Sequence, residues 1–99
     1  MAQITWTREA QVWLRDIYDF IAADNAAAAG RVVAGIHASA QSLRKHPRLG
    51  ERYTHIKDRE IRVLVHGHYR IAYLIRRDSG DIDILGVFHG ALQIERYLL

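Results

Sequence analysis

The spacing of apolar residues changes midway along the chain. From Ala10 to Ile21 the apolar positions Ala10, Trp13, Leu14, Ile17, Phe20 and Ile21 recur every three or four residues, the spacing that lays one stripe along a helix. Thr7 precedes this stripe as an N-cap, and Glu9 sits in the first turn, where the helix dipole favours an acid. The pattern predicts a short strand at Gln3–Trp6, a helix ending near Ala23, and a break at Asp24-Asn25. Asn25 then caps a second helix from Ala26 to about Lys45, whose inward face is Val33, Ile36, Ala40 and Leu43. His46-Pro47 ends it, because the residue before proline is pushed out of the helical region. The two helices form an antiparallel hairpin, with Trp13 and Phe20 expected in its core.

Beyond Pro47 the period becomes that of strands. A short edge strand is expected near Arg52-Tyr53-Thr54, followed by strands at residues 59–65, 68–76 and 81–89. Their turns, His66-Gly67 and Asp78-Ser79-Gly80, both carry glycine, as hairpins require. Tyr69, Ile71, Tyr73 and Ile75 should face the helices, paired with Ile82, Ile84, Gly86 and Phe88. Bringing Ile61, Val63 and Val65 onto that face needs an odd-length turn, which predicts a three-residue loop or bulge at His66-Gly67-His68. The opposite face then carries Glu60, Arg62, Leu64, Arg70, Ala72, Leu74, Leu85, Val87 and His89. Arg70 falls opposite Val87 and diagonal to His89, within reach across two strands. That face is too apolar for a merely solvated surface and reads as a binding face. The fold class is α+β: a short N-terminal strand and a helical hairpin on one face of a mainly antiparallel sheet.

At 99 residues, with 49% apolar content, the chain is expected to be one domain spanning 1–99 with one modest core. It has no cysteine, which excludes disulfides, a thiolate nucleophile and cysteine-ligated metal, and suits a reducing cytoplasm. Neither a leader nor an apolar run of membrane-spanning length is evident. The formal charge is +3, and the excess is local. Residues 44–62 hold seven basic side chains against three acidic ones, so the remainder is about neutral. Arginine outnumbers lysine twelve to two, favouring planar, bidentate contacts to phosphate or carboxylate.

Arg70 with His89 is the sharpest chemical pair. A guanidinium beside an imidazole could hold a scissile phosphate while the histidine moves a proton near neutral pH, without a metal. The alternative is a structural arginine paired with an acid such as Glu60, beside a hydrogen-bonded histidine. The six histidines show no metal-ligand spacing, so neither metal nor cofactor is expected. Residues 91–99 are too apolar for a free tail; they are expected to fold back or dock on a partner, with Tyr97, Leu98 and Leu99 forming a sticky end if exposed.

In chain order, five segments carry a family resemblance: Ile4-Thr5-Trp6-Thr7; the helix Ala10 to Ile21; Leu43 through His46-Pro47 to Leu49-Gly50; Arg59-Glu60 with Tyr69-Arg70-Ile71-Ala72-Tyr73; and Ile82 to His89-Gly90. Together they resemble the RelE/ParE superfamily of toxins from bacterial type II toxin–antitoxin modules. The His-Pro-x-x-Gly stretch and the Val-x-His-Gly ending look more like the ParE branch. The resemblance implies a cognate antitoxin that wraps and blocks the toxin. It implies DNA gyrase as target for a ParE-like toxin, or mRNA on the ribosome for a RelE-like endoribonuclease. A degenerate copy that only sequesters antitoxin is a third reading. On the nuclease reading Arg70 and His89 are the catalytic residues. On the gyrase reading the target- or antitoxin-binding surface is Arg62, Leu64, Arg70, Leu74, His89, Arg96 and Tyr97, with no membrane contact and no DNA binding except through the antitoxin complex. ParE-like chains commonly place an arginine just past the His-Gly; here those positions are Ala91, Leu92 and Gln93.

Overall fold

The computed structural model describes residues 1–54 and 56–90. Among them β1 (Ile4–Trp6) leads into α1 (Arg8–Ala22), and α2 (Ala26–Gln41) returns antiparallel to it. Then come β2 (Glu51–Arg52), β3 (Glu60–His66), β4 (Tyr69–Ile75) and β5 (Ile82–His89). Both helix starts form as their sequences dictate. The Thr7 hydroxyl accepts from the Ala10 amide at 3.2 Å, and the Asn25 side chain accepts from the Ala28 amide at 3.0 Å, each satisfying one of the orphan donors of a first turn. The second helix stops four residues short of expectation: Ser42 donates its hydroxyl to the Ser39 carbonyl at 2.6 Å, and residues Ser42–Arg44 tighten into a 3-10 turn. A serine hydroxyl that competes for helix carbonyls favours this departure.

The sheet order is β1-β5-β4-β3-β2, with β1 parallel to β5 and every other pairing antiparallel. The helices cover one face. Ala10, Ile36, Ala40 and Leu43 meet Ile71, Tyr73, Ile75, Ile82, Ile84 and Val87 in the main core. A second, smaller cluster lies on the other face, where Ile56, Ile61, Ala72 and Phe88 are buried with Tyr53, Val63, Leu74 and Leu85 packed around them. The sheet is therefore apolar on both sides, and Trp13 reaches from α1 to touch both clusters.

This two-sidedness overturns two register expectations. The β3–β4 turn holds two residues, Gly67-His68, because His66 pairs directly with Tyr69. Gly67 takes φ +58 and no described non-glycine residue has positive φ, the pattern of a hairpin turn that places glycine first. With an even turn, Arg62 pairs with Tyr73 and Leu64 with Ile71, so Arg62 and Leu64 stand on the helix-covered face. Ile61, Val63 and Val65 stand on the other. In β5 the register slips between Ala72 and Tyr73: Tyr73 pairs with Ile84 and Ala72 with Gly86, leaving Leu85 as the extra residue of a bulge. Phe20 also departs from expectation, standing 84% exposed.

Candidate functional site

The bulge in β5 decides where the two sharpest side chains go. Past Leu85 the strand's parity inverts, so Phe88 pairs with Arg70 and His89 pairs with Tyr69. Directly opposed residues share a face. Arg70 therefore lies with Val65 and Phe88 on the face away from the helices, and His89 lies with Tyr69 on the helix face. The expectation that Arg70 opposes Val87 and reaches His89 on one face is corrected: the sheet stands between them. The exposed His89 ring instead sits edge-on to Tyr69 (centroids 5.9 Å apart) and nearly parallel to His68 at 6.4 Å.

A sequence signal for this inversion existed in Gly86. A Cβ there would run into the Phe88 ring, so that ring lies across a position that only glycine leaves open. Glycine inside a strand is a mark of a bulge or a close approach. Trp13 meets that ring edge-on at 4.7 Å, closing the edge of β5 with α1.

Arg62 is engaged in structure. Its Nε donates to Glu60 Oε2 at 2.8 Å, and its Nη1 donates to the Gly50 carbonyl at 2.8 Å. Arg48 grips the same carboxylate through Nε (3.1 Å) and Nη2 (3.2 Å). The buried Tyr73 hydroxyl completes the lock, donating to the Pro47 carbonyl at 2.7 Å and accepting from the Gly50 amide at 2.9 Å. Gly50 is pressed so close that a Cβ would lie 2.8 Å from the Val63 backbone. The Arg62 hydrogen bond, joined by Arg48, holds the Glu60 carboxyl below its ordinary pKa against the opposing effect of burial. Burial pushes the Tyr73 hydroxyl up, so it remains a protonated donor. The arrangement fixes the Pro47–Gly50 turn and delivers β2 to the edge of β3.

Beside that edge lies a groove of about 670 Å³, lined by Ser39, Leu49, Arg52, Tyr53, Val65 and Arg70 among others. Val65 is 67% exposed and Leu49 55%. Behind the groove, the Ser39 hydroxyl and His66 Nδ1 lie 3.0 Å apart, joining α2 to the end of β3. Sequence reasoning placed Val65 inward, where the true turn length was the missing signal, and overlooked Ser39, Leu49 and Tyr53, which come from α2 and the flanks of β2. Of the sequence-predicted site residues, Arg70 and Leu74 share the uncovered face, Leu64 packs on the helix-side core, and Arg62 braces the turn. Arg96 and Tyr97 lie outside the described residues, as does the expected folding back of residues 91–99. No group of three or more potential ligands could hold a metal ion among the described residues, and no described helix is long and apolar enough to cross a membrane.

Two solved structures share this architecture. The chromosomal ParDE toxin–antitoxin system from P. aeruginosa superposes with a TM-score of 0.70 at 22% identity, covering 90% of this chain and 96% of that one. The RelBE2 toxin–antitoxin complex from Mycobacterium tuberculosis gives a TM-score of 0.68 at 21% identity, covering 89% and 96%. No curated protein matches the chain significantly in sequence. At these identities the likeness shows a shared fold, a helical hairpin on one face of a mainly antiparallel five-stranded sheet. The family model described as the ParE toxin of the type II toxin–antitoxin system parDE matches residues 4–93, and the chain belongs to that family.

Proposed function

We propose that the protein is a cytoplasmic toxin that inhibits DNA gyrase by protein contact and is neutralised by a cognate antitoxin. The observation that carries this reading over RNA cleavage is the separation of Arg70 from His89 by the sheet. General acid–base cleavage requires both groups within hydrogen-bond reach of one phosphate. A binding protein has no such requirement, and a sheet face bearing Arg70 and Leu74 over a partly apolar floor suits a protein target. Membership of the ParE family supports the same choice. Arg96 and Tyr97, outside the described residues, are proposed as further contact residues.

The test is expression without an antitoxin, with plasmid supercoiling and mRNA integrity followed in parallel. Loss of supercoiling or DNA breakage with intact transcripts is the expected result. Early transcript cleavage at codon boundaries would overturn it, and unimpaired growth would mark a chain that sequesters antitoxin without being toxic.

A further inference from the structure

Of the three serines in the chain, Ser39, Ser42 and Ser79, one faces a base. The Ser42 hydroxyl donates to the Ser39 carbonyl, and the Ser79 hydroxyl oxygen accepts from the Asp81 amide at 3.2 Å. Ser39 Oγ instead lies 3.0 Å from His66 Nδ1. Two elements bring this pair together. Gly35 and Ser39 stand one turn apart on α2 and so share a helix face. His66 ends β3 on the helix-covered side of the sheet, opposite Tyr69. A Cβ at Gly35 would lie 2.9 Å from His66 Nε2, so the imidazole rests over the gap that glycine leaves. Glycine is costly inside a helix, and here it has a packing reason: the ring passes over it to reach the hydroxyl of the next turn. Ser39 and His66 are both half-buried, and Ser39 lines the groove of about 670 Å³. A hydroxyl within hydrogen-bond reach of a base, at the wall of an open cavity, is placed for nucleophilic chemistry.

We infer that Ser39 is an acyl-acceptor site, taking an acyl group from a small activated ester or acyl phosphate with His66 as general base. With its own proton on Nε2, the His66 ring accepts the Ser39 hydrogen bond at Nδ1. Oγ attacks the carbonyl carbon of the donor, an Oγ–C bond forms, and the hydroxyl proton passes to Nδ1. Collapse of the tetrahedral centre breaks the bond to the leaving group, which departs as an anion, and the imidazolium returns its proton to solvent. The product is a serine ester on α2. The cavity suits such a donor. Leu49, Tyr53 and Val65 offer apolar surface to the acyl chain, and Arg52 and Arg70 line the same space, favouring an anionic leaving group. This chemistry is independent of the target the toxin takes, so either can fail without the other.

The experiment incubates the full chain with 4-nitrophenyl acetate and locates acetyl groups by peptide mapping and mass spectrometry. A Ser39 ester, removable by hydroxylamine, should form about a hundredfold faster than esters at Ser42 or Ser79, the low end of what a positioned base contributes. His66→Asn leaves an amide that can bond the hydroxyl and cannot take its proton. In that variant, shown to be folded by circular dichroism, Ser39 labelling should drop to the rate of the other two serines. Ser39→Ala should remove the adduct while amide formation at Lys45 and Lys57 continues unchanged. Labelling of Ser39 no faster than of Ser42 and Ser79, or undiminished in His66→Asn, would overturn the inference and leave the pair as a tie between α2 and β3. If the asparagine variant does not fold, the comparison of the three serines within the wild-type chain decides alone.

Discussion

Single side chains carry unusual weight around Tyr73. Its buried hydroxyl is the partner of both the Gly50 amide and the Pro47 carbonyl. Tyr73→Phe keeps the ring's packing and strands two main-chain groups, so unfolding stability should fall by about 1–3 kcal/mol, read from urea denaturation with the transition slope unchanged. Glu60 makes a prediction in pH. Its folded pKa lies below its ordinary value of 4.5, chiefly because Arg62 donates to the carboxylate. On acidification the unfolded chain therefore takes up the proton first. The stabilisation is whole above the unfolded pKa and drains as pH falls through the interval down to the folded one. Glu60→Gln should lower stability at neutral pH and flatten its decline below pH 4.5, where the wild type approaches the variant. Parallel denaturation midpoints from neutral to strongly acidic pH check it.

Among the elements, helices were legible and sheet faces were not. A capping side chain and a three-to-four spacing leave a helix little choice, and α1 and α2 begin where Thr7 and Asn25 dictate. Thr7 does more than sequence could tell, because its hydroxyl also donates to the Ile84 carbonyl at 2.7 Å, joining the end of β1 to β5. Thr7→Ala should consequently destabilise by roughly 2 kcal/mol, the upper part of the capping range, as a thermal-melt comparison with Asn25→Ala would show. Strand parity was ambiguous for a physical reason. Ile61, Val63 and Val65 are apolar enough for either side of a sheet that buries Ile71 and Tyr73 on one face and Ala72 and Phe88 on the other. Hydrophobic alternation assigns a face only when the other face is polar. The turn length then decides, and one residue fewer at Gly67-His68 moved Arg62 and Leu64 across the sheet. Phe20 failed for a related reason, since the apolar stripe of α1 is wider than the surface it covers. Gly86→Ala tests the bulge. The added methyl would meet the Phe88 ring, which Trp13 hems in, and the overpacking should destabilise by about 1–3 kcal/mol. Phe88→Leu introduced into that variant should recover part of the loss, a coupling absent if the ring can simply swing aside.

For the whole molecule, the decisive geometry is which groups can act together on one target. Arg70 and His89 are brought to adjacent strands and sent to opposite faces by one extra residue in β5. Residues that share a substrate atom fail together: removing either member of a catalytic pair abolishes most of the activity, and removing both adds little. Residues that touch different parts of a protein partner lose their contributions separately, and such effects sum to within about 0.5 kcal/mol when no partner group is shared. Arg70→Ala, His89→Ala and the double variant, each titrated for inhibition of gyrase supercoiling, should therefore behave additively, with the double loss equal to the sum of the singles. A double variant no worse than the poorer single would mean that guanidinium and imidazole converge on one group when the target is bound. That convergence would require β5 to shift its register, erasing the bulge at Leu85 and driving Phe88 from the ring-against-ring contact that Gly86 and Trp13 now enforce.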